Sequence, residues 1–182
     1  MRLTSALASD AAAGHGVLDP ILRAIRPGLA VAAPASTVRV TLNDNLDLWR
    51  ALQAGGLGGT VMVIAGGSAS NAACMGGNLA RELKDAGVVA VVTDAPVRDS
   101  AEIAGLGLPV WSRGVTPIKP TKVGGGGAGI EVELAGVKVR PGDWVTADDD
   151  GVVIWPRERL DELNAKATEL AGAEERLARP KG

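Results

Sequence analysis

The sequence has no phenylalanine and no tyrosine, and its aromatic side chains are four tryptophans and one histidine. That leaves almost no material for the aromatic platforms on which single-stranded nucleic acids stack. A single cysteine, Cys74, excludes an intrachain disulfide and any cysteine-cluster zinc site, and it points to the cytoplasm. A single histidine, His15, excludes multi-histidine metal centres. A metal here must be held by oxygen, which means a hard ion such as Mg²⁺ or Mn²⁺. There is no surplus of basic charge: 19 Lys and Arg face 21 Asp and Glu, a net charge of -2. Nothing in that balance points to nucleic acid or to an anionic membrane as partner. No apolar run reaches the roughly 18 residues that span a bilayer. The apolar part of the opening stretch is broken by Ser and Asp, unlike a signal peptide.

What is present suits one domain, or at most a domain with an appended arm: 182 residues, 46% hydrophobic, with 25 glycines. Thr60–Ala65 (TVMVIA) and Val88–Thr93 (VVAVVT) are short, wholly apolar runs, the pattern of strands buried on both faces. Between and around them the spacing predicts helices over 43–54, 78–86 and 101–105 and a third strand over 108–111, which reads as parallel α/β. Earlier in the chain it predicts a helix over 4–13 with Thr4 as cap, a second short helix over 17–25, and separate strands over 29–33 and 37–42. After four consecutive glycines (124–127) the pattern changes to short strands over 131–134, 137–139, 144–147 and 152–155, divided by turn residues. A helix over 157–179 closes the chain. Its Leu160, Leu163, Ala167, Leu170 and Leu177 form one stripe, and the position completing that stripe is Glu174. A carboxylate on an apolar seam is costly unless something requires it there.

The stretch Gly76–Glu102 carries the chemistry. A glycine pair opens a helix whose first N–H groups, at Gly77, Asn78 and Leu79, suit an anion. The strand after that helix delivers Asp94, and beyond it Arg98 and Asp99, to the carboxyl end of the sheet, where parallel α/β folds place their sites. Arg98 suits a carboxylate through its two-pronged guanidinium, and Asp99 a divalent ion. Cys74 has no second histidine to activate it and reads as a packed thiol. Asp148-Asp149-Asp150-Gly151 reads as a tight turn, because the further ligands of a calcium loop do not follow.

Gly77, then twenty residues, then Arg98-Asp99, then Glu102 resembles the motif of the RraA-like family. Ser9–Ala11, the Leu108–Trp111 strand, Arg113-Gly114, Thr116-Pro117, Val139–Asp143 and Asp148–Val152 resemble it too, so the likeness spans nearly the whole chain. The family holds the regulator of ribonuclease E activity and the 4-hydroxy-4-methyl-2-oxoglutarate / 4-carboxy-4-hydroxy-2-oxoadipate aldolases. The resemblance implies an α/β/α sandwich with a swivelling β/β/α-type core over residues 1–156. It implies a C-terminal helix, 157–182, packed on a neighbouring subunit of a trimer or hexamer. It implies a lyase that cleaves a C–C bond of a 2-oxo acid through a pyruvate enolate, an aldolase or oxaloacetate decarboxylase. Asp99 would hold Mg²⁺ or Mn²⁺. Arg98 and the backbone around Gly77, Asn78, Leu79 and Ala80 would bind the substrate carboxylate, with Glu102 in support. A glutamate of the adjacent subunit's tail, Glu174 or Glu175, would complete the site, and the stripe selects Glu174. The alternatives are a specialised enzyme on the same site, or a regulator that binds a ribonuclease without catalysis. Three positions depart from the aldolases' usual pattern. Asn78 replaces an acidic residue, Asp94-Ala95-Pro96 replaces Asp-Gly, and Gly59-Thr60 replaces Gly-Asp.

Overall fold

Strand β3 (Val61–Ala65) is buried at every position, and it divides the interior in two. Met62 and Ile64 point to one core; Val61, Val63 and Ala65 point to the other. Such a strand needs cover on both faces, and the chain supplies it. In this computed structural model, which describes residues 3–178, β3 lies between β2 (Val31–Arg39) and β4 (Ala90–Thr93), parallel to both. Strand β5 (Val110–Ser112) extends the parallel set beyond β4. Three further strands pair antiparallel at the margins: β1 (Arg23–Ala24) on β5, then β9 (Trp144–Ala147) on β2 and β10 (Val152–Trp155) on β9. The sheet order is β1-β5-β4-β3-β2-β9-β10, with β6 (Gly127–Ala128) also paired to β2. A separate ribbon joins β7 (Val132–Leu134) to β8 (Val137–Val139).

One sheet face is covered by helices α2 (Leu46–Ala54), α3 (Gly77–Asp85) and α4 (Ser100–Leu106), through Leu48, Leu79, Leu83 and Ile103. The other face meets the β7–β8 ribbon and the curled β9–β10 margin. The third core lies outside that curl. Val153 and Trp155 point outward from β10 and are covered by α1 (Ser5–Ala11) and by α5 (Leu160–Ala178), which follows a short 3₁₀ turn at Arg157–Arg159. The result is the mixed α/β architecture expected, a curled sheet with a C-terminal helix. No helix among the described residues is long and apolar enough to cross a membrane.

Two expectations need correction, and one strand was not anticipated. Residues 17–25 are not a helix. Pro20 has no N–H, Asp19 Oδ1 instead accepts from Ile21 N at 2.9 Å, and Val17 and Arg23–Ala24 pair with strands. The strands expected at 29–33 and 37–42 are one strand, β2. It pairs antiparallel to β9 through Pro34, then parallel to β3 from Ala35. The proline sits at the changeover of partners, where one ladder ends in any case. The glycine run contains β6: a Cβ on Gly126 would lie 1.8 Å from the Arg39 carbonyl oxygen, so only glycine brings this segment against β2.

Helix α1 begins as expected, with Thr4 Oγ1 accepting from Leu7 N at 3.2 Å. Asp148, in the Asp-Asp-Asp-Gly turn, accepts from the backbone N–H and the hydroxyl of Ser5, which ties the turn to the start of α1. The first turns of α5 lay Leu163 and Ala167 against α1 within the same chain. The side chains of Glu174 and Glu175 fall outside the described residues.

Candidate functional site

The Arg98-Asp99 pair is held by a small continuation of the sheet. Beyond β3, β4 and β5, Val97 bridges Met75 on one side and Val115 on the other. Arg98 N donates to Met75 O at 2.9 Å, Val97 N to Gly114 O at 2.9 Å, and Cys74 N to Pro96 O at 2.9 Å. Three loops that follow three parallel strands thereby become one platform. The sequence predicted this rim from the carboxyl ends of the strands, and the structure brings Gly76–Leu79, Arg98, Asp99 and Glu102 together on it.

Asp99 sits at the cap of α4 in the left-handed region, φ 56° and ψ 41°, a conformation that aspartate tolerates at a cost of about 1 kcal/mol. Its carboxylate does not cap its own helix. Oδ2 instead accepts from Gly77 N, at 3.1 Å, and from Arg98 Nε, at 3.3 Å. A cap given up and a left-handed residue both cost stability, and both aim this carboxylate at the start of α3.

The glycine pair is explained by the same approach. A Cβ on Gly76 would lie 2.6 Å from Asp99 Oδ2, and one on Gly77 2.1 Å from Glu102 Oε2. Gly77 and Glu102, the two ends of the motif, thus meet in one contact. Glu102 Oε1 also accepts from Arg81 at 2.6 Å, which fixes α4 to α3.

The four residues expected to offer N–H groups to a substrate are not equivalent. Gly77 N is spent on Asp99, and Ala80 N donates to Gly76 O at 3.0 Å. Ala80 is also fully buried. The backbone of Ala80 therefore does not face a ligand. Among the described residues the N–H groups of Asn78 and Leu79 have no partner, and these two remain for an anion.

Arg98 and Asp99 form a partition between two clefts. One, of about 470 Å³, is bounded by Ala101, Glu102, Val115, Thr116 and Pro117. The other, of about 250 Å³, is bounded by Asn45, Trp49, Asn78, Leu79, Lys119 and Lys122. The second brings in residues that the sequence reading passed over. Lys119 and Lys122 come from the loop after β5, and the Lys122 ammonium lies 4.6 Å from the centre of the Trp49 ring. The only signal in the sequence was two lysines flanking Pro120-Thr121.

That loop is anchored by Asp44. Asp44 is buried, and it accepts from Val123 N (2.5 Å), Leu46 N (2.8 Å), Thr121 Oγ1 (2.8 Å) and Gly124 N (3.1 Å). Burial pushes its carboxyl up; these four donors outweigh burial and hold it below the ordinary carboxylate value. Asn43, one residue earlier, accepts from Asn71 N and Ala72 N and so holds the glycine-rich loop that precedes α3. At the end of β4, Asp94 clamps Gly66 and Gly67 through their N–H groups, and burial raises its carboxyl despite those bonds. Cys74 is fully inside, and burial pushes its thiol up to about 12. It is the packed thiol that the sequence suggested.

No group of three or more His, Cys, Asp or Glu side chains among the described residues forms a metal cage. The donor set is one carboxylate, Asp99. Its Oδ1 has no hydrogen-bond partner among the described residues, and the residue lines both clefts. A single carboxylate at a wet rim fits a hard ion that keeps most of its waters, and it does not fit zinc.

A curled mixed α/β sheet followed by a C-terminal helix, with the Arg98-Asp99 pair on its rim, defines a fold of the RraA type. The chain belongs to the RraA-like family (Aldolase/RraA), whose model matches residues 5–154. It is 36% identical over 138 residues, 76% of this chain and 83% of the relative, to a Burkholderia multivorans protein named "Putative 4-hydroxy-4-methyl-2-oxoglutarate aldolase". The crystal structure of Streptomyces coelicolor RraAS2, described as an unusual member of the RNase ES inhibitor RraA protein family, superposes with a TM-score of 0.86 at 28% identity. It covers 96% of this chain and 91% of its own. A Thermus RraA, described as an RNA-processing inhibitor, superposes with a TM-score of 0.77 at 28% identity, over 86% of this chain and 94% of its own. The family thus spans proteins named for aldol cleavage and proteins named for inhibiting a ribonuclease.

Proposed function

We propose that this protein is a divalent-metal-dependent lyase that cleaves a C–C bond of a 2-oxo acid, as an aldolase, an oxaloacetate decarboxylase or both. The observation that carries this reading is the opposition at the rim. Asp99, whose Oδ1 has no hydrogen-bond partner among the described residues, lines one 250 Å³ cleft together with Arg98, Asn78 and Leu79. The N–H groups of Asn78 and Leu79 and the Arg98 guanidinium bind the C1 carboxylate of a 2-oxo acid. That places the 2-oxo oxygen toward Asp99. Mg²⁺ or Mn²⁺ held by Asp99 supplies, when bound, a Lewis acid for the charge that gathers on that oxygen as the C–C bond breaks. Arg98 adds a fixed positive charge on the same side, and Asp99 keeps Arg98 in place through the 3.3 Å contact. Glu102 holds the α3–α4 geometry through Arg81 and its contact over Gly77.

The active assembly is a homotrimer or hexamer in the cytoplasm, with Glu174 of an adjacent copy completing the site. Val115, on the larger cleft, is more than half exposed, as are Leu42, Ile118 and Val123, apolar surface that suits such a neighbour.

The test is pyruvate release from 4-hydroxy-4-methyl-2-oxoglutarate and from oxaloacetate, with Mg²⁺ or Mn²⁺ and with EDTA. Asp99→Asn keeps the shape and the left-handed preference of the residue but removes the charge, and it should lower turnover about a hundredfold or more. Turnover by the wild type that ignores EDTA, or no turnover of either acid, refutes the reading. The regulator reading draws on the two RraA structures. It predicts capture of a ribonuclease that Asp99→Asn leaves intact.

A further inference from the structure

Asn45 has one polar atom left over. Its backbone N–H donates to Thr121 O at 3.2 Å, its carbonyl accepts from Trp49 N at 3.3 Å, and its Nδ2 donates to Cys74 O at 2.9 Å. Its Oδ1 exposes less than 1 Å² and has no partner. Among the described residues only one other buried side-chain atom shares that condition, Thr146 Oγ1, on β9 and away from the rim. Asn45 itself is 5% exposed and lines the 250 Å³ cleft beside Trp49, Asn78, Leu79, Arg98 and Asp99. The backbone N–H, the carbonyl and the Nδ2 of Asn45 are all paired, so the residue is firmly held and this oxygen is not an accident of a loose loop. A buried acceptor without a donor destabilises the chain unless a donor arrives.

We infer that Asn45 Oδ1 accepts a hydrogen bond from a hydroxyl group of the substrate, and that it selects hydroxylated acids over acids that lack the hydroxyl. The donor must be an O–H or N–H on the ligand. The cations on this cleft (Arg98, Lys119 and Lys122) fit carboxylates at both ends of that ligand. In the free chain, bulk water does not satisfy Oδ1; a ligand that enters and spreads the wall does. An amide takes no proton, so Asn45 binds and orients the hydroxyl and is not its base. A site built around a substrate hydroxyl penalises the analogue without it far more than an apolar pocket penalises an added group. The assignment rests on the lyase reading only in supplying the molecule: an aldol such as 4-hydroxy-4-methyl-2-oxoglutarate carries the hydroxyl, and oxaloacetate in its keto form does not.

Binding separates the two claims. Citramalate carries the hydroxyl on a methyl-substituted dicarboxylate; methylsuccinate is the same skeleton without it. Titration of the full chain with each acid, in the presence of Mg²⁺, should show citramalate binding at least about tenfold tighter. Asn45→Ala should abolish that preference. Asn45→Asp keeps an acceptor, loses the donor to Cys74 O and adds a negative charge; it should weaken both acids while citramalate stays the tighter ligand. In turnover, Asn45→Ala should lower kcat/KM for the hydroxylated substrate at least about tenfold more than for oxaloacetate. No preference for citramalate in the wild type, or the same preference in Asn45→Ala, overturns the assignment. A loss of affinity that is equal for both acids in Asn45→Ala and Asn45→Asp also overturns it, because it marks Asn45 as a brace for Cys74 alone. A hydroxyl preference that depends on Asn45 in a chain that turns over neither acid sustains the assignment and removes the lyase reading.

Discussion

The contact between Gly77 and Glu102 can be weighed against helix propensity, and the two have opposite signs. Replacing the first residue of α3 by alanine favours the helix by about 0.5–1 kcal/mol. Against this, the new Cβ would stand 2.1 Å from Glu102 Oε2 and 2.2 Å from its Cδ, so the carboxylate must move. Moving it breaks the Arg81–Glu102 pair, whose partners are 53% and 41% exposed, so that loss is limited to about 0.2–1 kcal/mol. It also forces the Glu102 side chain off a preferred rotamer, at about 0.5–1.5 kcal/mol. Gly77→Ala should therefore be neutral to destabilising in the wild type. In a Glu102→Ala background the obstacle and the ion pair are both gone, and the same substitution should stabilise. Urea denaturation of the four proteins of the cycle should return a coupling of about 1–2 kcal/mol between positions 77 and 102. Additivity to within about 0.5 kcal/mol would mean that Glu102 does not press on Gly77. The spacing of glycine and glutamate in the motif would then need another cause.

Two further outcomes follow from the same geometry. The Asp44 carboxyl sits below its ordinary value, so the unfolded chain takes up this proton more readily and stability rises with pH. Its contribution is whole above the unfolded carboxylate value and is lost as pH falls through the lower folded one. Asp44→Asn should lower the urea midpoint at neutral pH and flatten its dependence on pH below about 4; parallel curves for the two proteins would rule out this role. The Cys74 thiol, buried and pushed up to about 12, should resist a thiol-titrating reagent at pH 8 and react only on unfolding in urea. Stoichiometric labelling of the folded chain would contradict its burial.

Much of the frame was legible because it depends on local rules. The all-apolar runs around β3 and β4 require cover on both faces, and glycine, aspartate and asparagine mark the turns between the elements. The Gly77–Arg98–Asp99–Glu102 motif announced the rim, and burial of Cys74 followed from its missing partner. Where the reading failed, a distant partner decided. Residues 17–25 have helical spacing, yet Val17 and Arg23–Ala24 are claimed by β10 and β5. The glycine run holds a strand because β2 offers an edge to it.

The sequence by itself determined the class of the fold and the family motif that carries the Arg98-Asp99 pair. Both depend on which residue types are present and on their order. Only the tertiary structure decided which N–H groups of α3 stay unpartnered and which are spent on Asp99 or on Gly76. It alone placed Lys119 and Lys122 in the cleft, by hanging their loop on Asp44, and it alone left the oxygen of Asn45 without a partner. Hydrogen bonds across 22 to 80 residues of chain cannot be read from spacing, because they exist only after the sheet has brought its loops to one rim.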